Sequence, residues 1–241
     1  YDNKTRNTST NSNFIPTYQS DNSTDPTKSY VTDDFYGLLD DTEGDGLAQL
    51  MDIGVGRFPA KTVSEAQAMV NKVINYETKT PLVIDGSNAS INGDWKNVVC
   101  FVADDQDGNT HVSDAETIST FVDTNYRNIN IDKIYFDAFK QMSTAGGQRY
   151  PDVTAAINQR IDNGALIMNY TGHGGETGWA HERVIDISTI NDWGNVKKLP
   201  LFVTATCEFS RYDDPARTSA GEDVLLNPNG GGIGLLTTTR L

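Results

Sequence analysis

The sequence predicts an α/β fold: a mostly parallel sheet with helices on both faces. Three observations carry this. Short apolar runs of strand length alternate with amphipathic stretches of helical period along residues 95–239, and that alternation builds parallel sheets covered on both faces. The hydrophobic fraction is 37% and the charged fraction 22%, an ordinary globular composition. The 241 residues suffice for one domain, or two tightly joined halves, whose core needs no covalent staples. The two cysteines, Cys100 and Cys207, make no disulfide framework.

The elements follow in order. Residues 1–29 are dominated by Asn, Thr, Ser and Asp and read as an irregular loop. "YVTDDFYGLLDD" (30–41) and "LAQLMDIGVGRFP" (47–59) are strand candidates joined by the turn-rich "TEGDG". From 62 to 79 the period becomes helical, through Ala66, Met69, Val70, Val73 and Ile74, with Thr62 or Ser64 to cap the start. "WKNVVCFVAD" (95–104) is a buried strand, "DAETISTFVDTNY" (114–126) a helix and "IDKIYFDA" (131–138) a strand. "PDVTAAINQRIDNG" is a helix with Pro151 at its start and Gly164 past its end. "ALIMNYTGHGG" (165–175) is a strand and loop, "DISTINDWGN" (186–195) a short helix and "LPLFVTATCEF" (199–209) a strand and loop. "TSAGEDVLLNPNGG" (218–231) is a helix and "GIGLLTTT" (232–239) a last strand. No internal repeat or linker divides the chain.

Composition excludes some functions. A formal net charge of -14 repels nucleic-acid backbones and anionic lipid. No stretch approaches the ~18 apolar residues of a membrane span. No signal-peptide pattern opens the sequence, and the chain reads as cut at both ends, beginning in "YDNKTRNTSTNSN" and stopping inside the strand-like "GGGIGLLTTTRL".

Chemistry concentrates at two strand ends. His173 sits between glycines after one buried run and Cys207 follows another. If those strands are neighbours in a parallel sheet, both side chains emerge on the edge where α/β sheets bind ligands. A thiolate with an imidazole beside it is what a thiol nucleophile requires. Gly172 and Gly174 let the backbone turn sharply and approach a substrate. The N–H groups of Gly174 and Cys207 can then receive an oxyanion. The plain alternative is a surface histidine and a buried cysteine that never meet. Cys100, inside an apolar run, reads as a small buried residue.

"NYTGHGGETGWA" resembles the histidine motif of the gingipain family of cysteine peptidases, and "LPLFVTATCEF" its cysteine motif. "MDIGVGRFPAKTVSEAQAMVNKVINYE" resembles an upstream unit of that family, so the resemblance runs from about residue 31 to the end. Within the family, "TGHGGETGWAHERVIDISTIN" and the stretch 201–240 look most like the PorU branch, sortase-like peptidases of the type IX secretion system. The resemblance implies a caspase-like fold in two subdomains: residues 1–95 as a partial N-terminal one and 96–241 as a catalytic one incomplete at its C-terminus. It implies Cys207 as nucleophile, His173 as general acid/base, and the Gly174 and Cys207 amides as oxyanion hole. It implies a third, acidic residue that orients the histidine, with Asp105 the nearest match and Asp104 the next; either could instead be a solvated turn residue. Glu176 and Trp179 would brace the loop or line the substrate cleft. Arginine-specific members carry an acid on the loop after this strand. Here that loop reads "QDGNTHVSD", the position falls near His111 or Val112, and a preference for basic residues is not expected.

The resemblance further implies protein or peptide substrates with C-terminal sorting domains, a surface glycolipid as acceptor, and outer-membrane secretion proteins as partners. It places the protein on the cell surface or outside a Gram-negative bacterium, associated with the outer membrane. Two other readings compete: a catalytically silent caspase-like binding module, and a thiol hydrolase of non-peptide acyl groups. No cofactor is expected. "DTEGDGLAQLMD" (41–52) matches the calcium-loop spacing but reads better as a hairpin turn, as does "DDQDGN" (104–109). Because gingipain relatives bind calcium, structural calcium stays open at both. Three scattered histidines and two distant cysteines offer too few ligands for zinc, so no metal residue is assigned.

Overall fold

Five parallel strands form the sheet of the computed structural model: β1 (Val98–Ala103), β2 (Asn130–Tyr135), β3 (Ile167–Thr171), β4 (Leu201–Ala205) and β5 (Gly234–Leu236). The structure describes residues 15–20, 25, 27–44, 49–78, 82–84, 87–89, 93–214 and 217–241. The sheet order is β2-β1-β3-β4-β5. Chain direction across the sheet therefore reverses between β1 and β3, the switch point where ligands bind in such folds.

The helices are α1 (Val63–Glu77), α2 (Gln106–Asn125), α3 (Pro151–Asn163), α4 (Ile187–Asn191) and α5 (Ala220–Leu226). Local chemistry sets their ends. Thr62 and Glu65 form a reciprocal capping box at α1. Pro151 opens α3, where a missing N–H costs nothing, and Gly164 (φ 84°) ends it in a conformation that suits glycine.

Period-2 alternation assigns the two faces. Cys100, Val102, Ile134, Met168, Tyr170 and Phe202 share one core with Val153, Ile157 and Ile161 of α3, Ile190 of α4 and Val224 of α5. The intervening Val99, Phe101 and Ala103 face the other way, where α2 crosses β1 to β3 and buries Ala115 and Ser119. At about 25 cal/mol per Å² of apolar surface, burying each such large side chain contributes roughly 1.5–3 kcal/mol.

Residues before 95 supply no strand to this sheet among those described. Val31–Thr32 pairs only with Tyr18–Gln19, and residues 49–59 form no strand. Gly54, Gly56 and Pro59 interrupt the second run, and Leu50, Met51 and Ile53 are exposed. This part is tied down through polar contacts. Lys72 of α1 donates to the carbonyls of Leu225, in the last turn of α5, and of Asn227 and Gly230 beyond it, at 2.8–3.1 Å. Arg57 pairs with Asp33 at 2.6 Å and lies over the Tyr212 ring. No helix among the described residues is long and apolar enough to cross a membrane.

Candidate active site

Register brings the two strand ends together. Ala205 of β4 pairs with Thr171 of β3, and the Gly172 N–H donates to the Ala205 carbonyl at 3.2 Å. His173 and Cys207 each lie two residues beyond that pair, on strands about 4.8 Å apart. Both turns are held by unusual backbone. Gly172 has φ 157°, and a Cβ there would strike Asp104 and the Tyr170 ring. Glu208, directly after the cysteine, sits at φ 47°. A non-glycine residue keeps that conformation only where its surroundings enforce it. Here its N–H donates to the Arg240 carbonyl (3.2 Å) and its carboxylate meets Arg211 (3.3 Å).

After the histidine the chain folds into a small antiparallel sheet, in which Gly174–Gly175 pairs with Gly178–Trp179 and the latter with Ile185–Asp186. The Ala180 N–H donates to the His173 carbonyl at 2.8 Å. Antiparallel pairs alternate, so Gly174 and Trp179 form the non-hydrogen-bonded pair and the Gly174 N–H points away from its partner. The Cys207 N–H makes no backbone bond among the described residues. An oxyanion hole requires two N–H donors left unpaired by the fold. An added Cβ at 174 would run into the Thr206 hydroxyl and lie 3.0 Å from the Gly178 carbonyl, so a larger residue here must displace the Thr206 side chain.

The acid beside the imidazole is neither of the two expected. Asp107 Oδ2 lies 2.9 Å from His173 Nε2. Asp105 instead accepts from the Tyr150 hydroxyl at 2.7 Å, and Asp104 from the backbone N–H groups of His173 (3.2 Å) and Gln106 (3.0 Å). The reason is geometric. Asp104 continues the sheet, its N–H donating to the Thr171 carbonyl, and this turns Asp105 toward α3. Asp107, Gly108 and Asn109 then adopt left-handed φ values of 55°, 65° and 64°, which throw the Asp107 carboxylate back over the strand ends. The segment expected as the loop "QDGNTHVSD" is thus the start of α2. Only the clustering of Asp, Gly and Asn, residues tolerant of positive φ, marks the kink in the sequence. Burial first, then the bond to Asp105, raises the Tyr150 phenol well above its ordinary range.

Trp179 lies in the core rather than on a cleft wall. It is 0% exposed and stacks on Tyr170 at 4.2 Å, against Phe202 and Phe209. Tyr170 in turn donates to the His173 carbonyl at 2.6 Å, so the aromatic pair braces the histidine from below. Glu176 is a cross-brace: it binds Arg211 (2.7 Å) and Arg217 (3.0 Å), both beyond the cysteine, and its carbonyl accepts from the Ala220 N–H (2.7 Å). Nothing in their spacing announced these arginines. Farther out, the chain segment 238–240 runs along the cysteine loop. The Ser210 N–H donates to the Thr238 carbonyl, the Thr238 hydroxyl meets the Thr206 carbonyl, and Arg240 makes a buried bidentate pair with Asp213 at 2.6 and 2.8 Å.

The cysteines differ as the sequence suggested. Cys100 is fully buried and burial pushes its thiol up strongly, whereas Cys207 is partly exposed. The histidines are not scattered: the rings of His111 and His181 lie 5.2 and 5.3 Å from that of His173. In the calcium-like loop, Glu43 and Asp52 approach Asp40, which precedes the template, and Asp45 lies outside the described residues. Asp52 and Glu43 accept from the Leu39 and Asp40 amides, as in a turn.

A parallel sheet of this order, with a carboxylate-held histidine and a partly exposed thiol on adjacent strand ends, defines a site of the cysteine-peptidase type. The model of peptidase family C25 matches residues 1–241, and the chain belongs to that family. The crystal structure of the Arg-specific cysteine proteinase gingipain R (RgpB) superposes with a TM-score of 0.67 at 17% identity, over 88% of this chain and 44% of that one. The complex of Porphyromonas gingivalis RgpB pro- and mature domains gives 0.66 at 17% identity, over 87% and 45%. At this identity the likeness concerns the fold, and the chain spans less than half the length of either structure. No curated protein sequence matches the chain.

Proposed function

We propose that this chain is a cysteine endopeptidase with transpeptidase capacity. The observation that supports the reading is the register that pairs Thr171 with Ala205, two residues before His173 and Cys207 at the carboxyl ends of β3 and β4. With the Nε2 proton donated to Asp107, Nδ1 carries the lone pair of the imidazole. That nitrogen takes the Cys207 proton. The thiolate attacks a peptide carbonyl, and the oxyanion settles on the Gly174 and Cys207 amides. The imidazolium then returns its proton to the leaving amine as the C–N bond breaks, leaving a thioester on Cys207. Water or a second amine attacks the thioester and restores the thiol.

The resemblance of residues 171–191 and 201–240 to the PorU branch supports a finer reading. The substrates are secreted proteins with C-terminal sorting domains, the acceptor is an amine on a surface glycolipid, and the site of action is the cell surface at the outer membrane. A peptide electrophile tests the chemistry. A peptidyl acyloxymethyl ketone should add its peptide mass to Cys207. Failure to react while iodoacetamide still labels Cys207 would favour the silent binding module. The finer reading is tested with a model cargo and an added amine: loss of the sorting domain with amine capture supports it, and simple hydrolysis alone removes the transpeptidase part.

A further inference from the structure

All three histidine rings of the chain meet, with His173 in the middle: His181 stacks on it and His111 meets it edge-on. His111 and Asp107 come from the same helix end, four residues apart. The left-handed run at 107–109 turns the Asp107 carboxylate to within 3.5 Å of His111 Nε2, while 2.9 Å separates it from His173 Nε2. The three ligand atoms lie within 4.8 Å of one another. His111 Nε2 is shielded from solvent and makes no hydrogen bond, an unused polar atom beside that carboxylate.

We propose that Asp107, His111 and His173 form a binding site for a divalent transition ion of the zinc type, and that its occupancy reversibly switches the thiol site off. The switch rests on the peptidase reading above; the metal site does not. Two imidazoles and one carboxylate are the ligands such an ion takes, with one position left open. Bonds of about 2.0–2.2 Å around a tetrahedral ion set neighbouring ligand atoms about 3.3 Å apart. The observed 2.9 and 3.5 Å lie on either side of that spacing, and the two imidazole nitrogens lie within 4.8 Å of each other. Calcium asks for six to eight oxygens and is not matched by two nitrogens. The ion would replace the proton shared by His173 and Asp107. The imidazole then becomes a metal ligand and cannot accept the proton of Cys207.

The test uses the whole chain with zinc chloride and, as a spectroscopic probe, cobalt(II) chloride. The wild type should bind one ion, with the visible ligand-field bands of a four-coordinate site. His111→Ala should fold normally, keep metal-free peptide turnover, and bind at least about tenfold more weakly, since even partners behind a ligand are worth 10–100-fold. Its zinc inhibition curve should shift by the same factor. His111→Gln guards against a packing defect from the smaller residue, and His181→Ala, which removes a stacking ring and its bond to Gln106 but no ligand atom, should bind as the wild type does. Equal affinity in wild type and both His111 variants would overturn the site, as would cobalt spectra of six-coordinate form. If Cys207→Ala binds zinc with wild-type affinity but no form of the protein cleaves peptide, the metal site stands and the peptidase reading falls. If turnover depends on Cys207 yet zinc leaves it untouched, the switch falls and the peptidase reading stands.

Discussion

Single side chains divide the work at this site, and substitutions can separate them. Cys207→Ala should abolish peptide turnover and leave the melting temperature unchanged, because the thiol serves no packing. Cys100→Ala should keep turnover and cost about 1–2 kcal/mol, since it opens a cavity in a filled core; activity assays and urea titrations on both variants check the contrast. Asp107→Asn should lower turnover by about 10²-fold or more by losing the carboxylate that fixes the His173 tautomer. Asp105→Asn should act on the Tyr150 contact and spare the chemistry. If the two exchange effects, the orienting acid has been assigned to the wrong side chain. The sequence exposed His173 and Cys207, because chemistry-bearing residues at the ends of apolar runs stand out. It hid Asp107, because five acids and amides within the six residues 104–109 look alike until the backbone is drawn. Only the positive φ angles select among them.

At the scale of elements, the hairpin after His173 is the part that periodicity could not reveal. Its strands are two residues long, below any pattern a period of two can show. The strands and helices that were legible, such as α3 with its proline and glycine ends, are those whose burial repeats over three or more turns or alternates along a buried run. The two N-terminal strand candidates failed for the opposite reason. They carry apolar residues but join no edge of the five-stranded sheet among the described residues, and only Val31–Thr32 pairs at all, with Tyr18–Gln19. The hairpin also gives a sharp test of the oxyanion role. Gly174→Val forces a side chain against Thr206 and shifts the amide, so turnover should fall by about 10²–10³-fold. Cys207 should still react with iodoacetamide, which develops no oxyanion. Parallel loss of both readouts would mean that the strand end has simply collapsed.

Across the whole molecule, charge joins the described residues before α1 to α5, as in the Lys61–Glu222 pair at 3.2 Å, and the acids there give stability a pH signature. Burial above all, then Glu222, raises the Asp223 carboxyl from 3.8 to about 6, against an opposing pull from Lys61. Between those values the folded chain holds a proton that the unfolded chain has released. This contribution is therefore fully present below about pH 3.8 and is lost as pH rises through about 6. Asp223→Asn should flatten that part of the profile and raise stability near neutrality, as urea midpoints at about pH 4.5 and about pH 7 will report. The pairing of Ala205 with Thr171 has a further consequence, one of time rather than space. Nucleophile and base sit on segments 34 residues apart in the chain, and nothing local brings them together. Contacts of such separation form late, after helices have already closed their own bonds. Refolding should therefore restore far-ultraviolet helical signal before any turnover appears. A catalytically competent molecule is one whose central strands have already docked, so the chain cannot begin to cut while it is still an open, cleavable coil.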